Sequence, residues 1–244
     1  RSLVNGQSHR WGELEQPSLA GLRERVSPLL LPSGQESTLD EVVGIVQELH
    51  CESENRNALF QVASQFNLLE MVGPSVTPER GVGCYENDRT QGPACAIAAG
   101  AGTIYRNYFV ETEGGLGQTA SRQIDCLSDL GETLGNRESR LWTMRNGYAL
   151  ASGEGLAEIR AHLERLNEAE RSTVGGMLRI GLQWGTEVTL PHAAEEPLLV
   201  SQAYCSALPV AYSRQHEDAW EPFARLVLDA SYEACLAAAL LNQA

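Results

Sequence analysis

The chain has 244 residues, 43% of them hydrophobic, with 18 basic against 32 acidic side chains and a formal charge of −14. That is the size of one large domain with material for a real core, and the acidic balance argues against nucleic-acid binding, which needs cations to displace counterions. No apolar run approaches the ~18 residues of a membrane span, and the chain, which begins at Arg1, shows no basic-then-apolar opening of the secretory kind.

Residues 1–40 read as an entry segment: LAGLRERVSPLL suggests a short helix stopping near Pro28, and LPSGQEST a loop. Asp40 and Glu41 open an element over 41–50 that is ambiguous between helix and strand. ALFQVAS, 58–64, is an apolar run suited to a buried strand, and 73–92 is a long loop of the kind that is often functional. ACAIAAGAGTIYRNYF follows as a helix dense in alanine and glycine, where Gly100 and Gly102 point to close approach to a neighbour. A glycine-rich loop, EGGLGQ (113–118), precedes a helix expected over 121–134 and a strand over 141–151. Leu156, Ile159, Leu163 and Leu166 recur at helical spacing, and Leu178, Ile180, Leu182 and Trp184 alternate as in a strand. Residues 198–205 form another apolar run before ALPVAY, and a helix closes the chain from about 218 to 241, with Trp220, Phe223, Val227 and Ala234 on one face. Helices alternating with strands imply a layered α/β domain whose ligands sit at the carboxyl ends of the strands.

Three strand-end loops carry the candidate chemistry. In SQFN, Gln65, Phe66 and Asn67 could stack on a base and hydrogen-bond a sugar, or simply make a strand-end turn. In ENDRTQGP, Glu86 and Asp88 precede Thr90, Gln91, Gly92 and Pro93 at an expected helix N-terminus. Free N–H groups there could hold a phosphate while a carboxylate positions water; alternatively Asp88 only complements the helix dipole. In QAYCSALPVAY the small residues around Cys205, Ser206, Ala207 and Leu208 let backbone approach a ligand. A nucleophilic Cys205 with His192 or His216 is a rival without a supporting motif. Asp125 and Asp129, spaced i, i+4, with Glu132, could serve acid–base work or form a solvated face, and Gly117 and Gln118 of EGGLGQ could cover a ligand. The six cysteines form no CxxC pair and the histidines no HExxH pattern, so a structural zinc site is not expected; buried free thiols in a reducing cytoplasm are.

The order of these segments resembles the macrodomain superfamily, specifically its poly(ADP-ribose) glycohydrolase-like branch. FQVASQFN stands where that branch has a Phe-Ala-Asn strand end, ENDRTQGPACAIAAG where it has its catalytic loop and helix, and VSQAYCSALPVAY where it has a diphosphate loop. ALFQVASQFNLLEM and DRTQGPACAIAAG resemble MavL-type ADP-ribosylhydrolases. The resemblance implies a three-layer fold with a mixed central sheet flanked by helices, in which 1–40 is a helical extension packed on the core and 41–244 the catalytic domain. It also implies release of ADP-ribose from protein side chains, arginine-linked and including ubiquitin, with a non-catalytic ADP-ribose reader as the alternative. Glycohydrolase signature glycines and glutamates are missing, Gln91, Gly92 and Pro93 standing in their place. Asp88 is therefore the first catalytic candidate, with Asp125 and Glu86 behind it. ADP-ribose is expected near Phe66, Asn67 and Glu70, its diphosphate on the backbone of Cys205–Leu208. No cofactor is expected; magnesium held by Asp88 and Asp125 is the alternative, since hard cations prefer carboxylates. Neither nucleic acid nor membrane is an expected partner.

Overall fold

The apolar runs at 58–64 and 198–205 become neighbouring strands, β2 (Leu59–Ser64) and β8 (Leu199–Ser206), paired in parallel. The computed structural model describes residues 1, 5–29, 38–190 and 196–243; most of the expected LPSGQEST loop and His192 lie outside them. β7 (Gly181–Glu187) runs antiparallel to β8 on its other side, and β1 (Glu13–Glu15) antiparallel to β7, giving a four-stranded mixed sheet in the order β1-β7-β8-β2. Seven of the eight residues of β8 are buried, as expected of a strand covered on both faces.

Alternation along β8 shows what covers each face. The Cys205 thiol reaches the Ser231 carbonyl of α8 (Glu217–Gln243) at 3.7 Å. On the other face Gln202 Nε2 donates to the Cys95 carbonyl of α3 (Gln91–Ala98) at 3.0 Å, and Tyr204 lies under the Arg106 guanidinium at 3.8 Å. The sheet is thus the middle of three layers, the mixed α/β architecture expected. On the α8 side, α1 (Leu19–Val26), α6 (Gly153–Glu164) and α7 (Glu168–Gly175) bury Leu19, Leu22, Leu156, Ile159 and Leu163 with Trp220, Phe223 and Val227 of α8. Pro222 inside α8 cannot donate to Asp218 four residues back, and that carbonyl instead accepts from Arg160 of α6.

Several elements differ from the sequence expectation. The N-terminal segment contributes an edge strand to the sheet as well as helix α1, and Trp11 stacks on Tyr105 at 3.8 Å. The ambiguous 41–50 stretch is helical only at α2 (Val46–Cys51). The alanine-rich helix breaks at Ala99 (φ −112°, ψ 55°) and resumes as α4 (Gly100–Ile104), leading into a π-turn at Tyr105–Phe109. The expected close approach is present: a Cβ on Gly102 would stand 2.9 Å from Thr186 Oγ1 on β7. EGGLGQ supplies the turn and second strand of a short ribbon, β3 (Glu111–Thr112) and β4 (Gly115–Leu116). The helix expected over 121–134 is confined to α5 (Ser128–Leu134). Residues 141–151 are not one strand but a hairpin, β5 (Trp142–Arg145) and β6 (Tyr148–Ala151), turning at Asn146 (φ 48°) and Gly147 (φ 79°). Among the described residues no helix is long and apolar enough to cross a membrane.

Candidate functional site

The parallel register pairs Ser64 with Ser206, so β2 and β8 leave the sheet at the same level. A cleft of about 530 Å³ opens there, within the range of small-ligand sites. One wall is the start of α3: Asp88 and Thr90–Pro93. The opposite wall is the Cys205–Leu208 turn with Leu228, Ser231 and Tyr232 of α8, and Ser64, Gln65 and Tyr148 complete it. A larger groove, about 880 Å³, lies between α1, α6, α7 and α8. No residue of β2 or β8 lines it, and its Arg23 and Arg225 are ion-paired with Glu233 and Glu221, so we place the candidate site in the cleft.

Three features bring α3 against β2. A Cβ on Gly92 would lie 2.1 Å from the Ala63 carbonyl oxygen, so only glycine permits this approach. The Gln91 carboxamide pairs with the free edge of β2, accepting from Ala63 N–H at 2.8 Å and donating to the Gln61 carbonyl at 2.6 Å. Pro93 occupies the first turn, where no N–H is needed. The N-cap residue, Thr90, makes no side-chain cap bond to α3. Its hydroxyl and backbone N–H instead donate to Asp88 Oδ1 at 2.6 and 2.9 Å. These bonds hold the Asp88 carboxyl below the usual range, so Asp88 is ionised on the cleft rim. Among the described residues no arginine or lysine lines the cleft; an anion there would depend on backbone N–H groups.

Beneath α3 lies a buried ion pair. Glu70 Oε1 and Arg106 Nη2 are 3.1 Å apart, both side chains fully enclosed. Arg106 also donates to the Leu68 carbonyl at 3.0 Å and to the Tyr204 hydroxyl, which donates to Gln202 Oε1 at 2.5 Å. Burial, partly opposed by Arg106, pushes the Glu70 carboxyl up to about 7.

The structure therefore gathers Gln65, Glu70, Asp88, Thr90, Gln91, Gly92, Pro93 and Cys205–Leu208 around one cleft. Other expected site residues lie elsewhere. Phe66 is 1% exposed in the core and Asn67 fully buried, its Nδ2 donating to Gln123 Oε1 at 2.9 Å and its Oδ1 accepting from Leu69 N–H at 3.1 Å; neither lines the cleft. Gly117 is not in the cleft wall but packs against the Tyr108 backbone, where a Cβ would stand 2.7 Å from its carbonyl oxygen. Gln118 is a buried bracket, donating to the carbonyls of Asn67 and Arg106 at 2.9 and 3.0 Å. Asp125 caps Leu127 N–H at 2.9 Å away from the cleft, and Asp129 pairs with Arg179 at 2.8 Å. Glu86 is exposed and lies outside the cleft wall. Asp125 does not line the cleft that Asp88 borders, and no group of three or more potential metal-ligating side chains occurs among the described residues. Cys205 is no activated nucleophile: contact with Cys235 and burial raise its thiol well above the ordinary range, and His216 is exposed beside Asp218 at 3.2 Å.

Sequence reasoning missed the aromatic side of the cleft. Tyr148 and Tyr212 meet edge-on at 5.1 Å, and Tyr232 and Leu228 project from α8. The signal was present at the last two, four residues apart and off the apolar face of α8. Comparison of the chain with family models, curated proteins and solved structures finds no match.

Proposed function

We propose that the chain is an ADP-ribosylhydrolase that binds ADP-ribose in the cleft at the ends of β2 and β8 and releases it from modified side chains, arginine foremost. The observation that carries this reading is the ionised Asp88 carboxylate on the rim, one oxygen fixed by Thr90, beside a helix N-terminus without a side-chain cap. The helix terminus and the Cys205–Leu208 backbone offer N–H groups to a diphosphate. Asp88 supplies the negative charge that cleavage of an N-glycosidic bond needs: it orients water and stabilises the oxocarbenium-like centre as the guanidine leaves. Glu70 borders the cleft next to Gly92, its carboxylate paired with the buried Arg106. The mixed sheet and the segment order are consistent with the macrodomain resemblance, and ubiquitin is one acceptor of the class it implies. Six free thiols are consistent with a reducing, cytoplasmic setting.

The test is calorimetry with ADP-ribose, then product analysis on matched peptides differing only in an arginine, glutamate or serine linkage. Binding and fastest release from arginine are expected. Binding without turnover makes the protein a reader, and no binding ends the reading altogether.

A further inference from the structure

Among the described residues five buried side-chain oxygens have no hydrogen-bond partner: Glu70 Oε2, Asn107 Oδ1, Gln183 Oε1, Thr186 Oγ1 and Ser231 Oγ. Buried polar atoms are otherwise nearly always paired, so each exception calls for a cause. Two of the five belong to residues that line the cleft. They stand on opposite walls, Glu70 beside Gly92 of α3 and Ser231 on α8. For Ser231 the fold offers a partner and does not use it. A hydroxyl inside a helix can return to the carbonyl four residues back, as Thr133 and Thr173 do here at 2.9 and 3.0 Å. Ser231 is 3% exposed and makes no such bond to Val227. Its hydroxyl has lost water and gained nothing, which costs free energy that a ligand can recover.

On the ADP-ribose reading of the cleft, we infer that Ser231 is a specificity-determining contact whose hydroxyl donates a hydrogen bond to the diphosphate. Its place follows from Cys205. That thiol donates to the Ser231 carbonyl at 3.7 Å, tying this turn of α8 to the first residue of the Cys205–Leu208 turn, the proposed diphosphate cradle. No arginine or lysine lines the cleft among the described residues, so an anion there must be met by neutral donors. A phosphate oxygen at neutral pH only accepts, and the Ser231 hydroxyl is a donor with no competing bond. On binding it gains a charge-assisted bond without giving one up.

The experiment compares wild type with Ser231→Ala, by calorimetry with ADP-ribose and with ADP, and by thermal unfolding without ligand. Expected is a loss of about tenfold or more in affinity for both ligands, the worth of a hydrogen bond to a charged group. The thermal midpoint should stay level or rise, because the deleted hydroxyl has no partner in the fold. A merely structural serine would do the reverse, lowering the midpoint and leaving affinity alone. A smaller loss of affinity, a loss confined to ADP-ribose, or a lowered midpoint would overturn the inference, while ADP-ribose binding by the wild type keeps the reading of the cleft intact. Failure of the wild type to bind ADP-ribose overturns both.

Discussion

Asp88 and Glu70 show how two carboxylates within one site take opposite characters from their surroundings. Thr90 gives Asp88 two donors at the rim; Glu70 is enclosed and depends on Arg106. Asp88→Ala is expected to abolish turnover while ADP-ribose affinity stays within about tenfold, or ~1.4 kcal/mol, because the backbone cradle survives; calorimetry beside single-turnover assays separates the two effects. The Glu70 pair makes a different prediction. Its carboxyl is raised from an ordinary 4.5 to about 7, so the folded state holds the proton more tightly than the unfolded chain. The stability this contributes is fully present below about 4.5 and is lost as pH rises through about 7. Arg106→Met removes the cation and leaves a buried carboxylate, a change that costs ~3–5 kcal/mol when the remaining charge cannot escape. Protonation is the escape, so urea midpoints should fall further below wild type at about pH 8 than at about pH 5. An equal loss at both would mean that Glu70 is not the group left uncompensated.

At the scale of elements, the cleft exists because α3 lies directly on β2. Gly92 allows the approach and the Gln91 carboxamide satisfies the strand's open edge. Gly92→Ala places a methyl 2.1 Å from the Ala63 carbonyl oxygen, a backbone atom that no side-chain rotation can move away. We expect a loss of about 1–3 kcal/mol in stability, the usual cost of overpacking, and weaker ADP-ribose binding as the helix N-terminus is pushed off the strand end. A variant with wild-type thermal midpoint and affinity would show that α3 shifts freely.

The whole molecule carries −14, and no basic side chain lines the cleft among the described residues. Such a field attracts a cationic acceptor and repels an acidic one. Release from an arginine-linked peptide should therefore slow as salt rises, screening acting within ~8–10 Å at ordinary ionic strength. A glutamate-linked peptide should show no such slowing. Salt-independent rates with the arginine peptide would remove the electrostatic part of the preference and leave the cleft in place.

What the sequence determined by itself was whatever depends on local periodicity and on chain ends of elements: the α/β class, the two apolar runs that become β2 and β8, the amphipathic α6 and α8, and the loops that meet at the strand ends. Tertiary structure alone decided which polar side chains face the cleft. Phe66 and Asn67 follow a strand end and read as ligand contacts, yet Asn67 is committed to Gln123, and Gln118 to the carbonyls of Asn67 and Arg106. Their partners lie 12 to 56 residues away, and nothing in a local pattern reports such a commitment. The 141–151 stretch is the opposite case: Asn146-Gly147 is a local hairpin signal, which reading the stretch as one strand passed over. Burial decides the rest: a buried donor or acceptor must find its partner inside the fold, so an amide that local sequence leaves free becomes a structural bracket once the layers close around it.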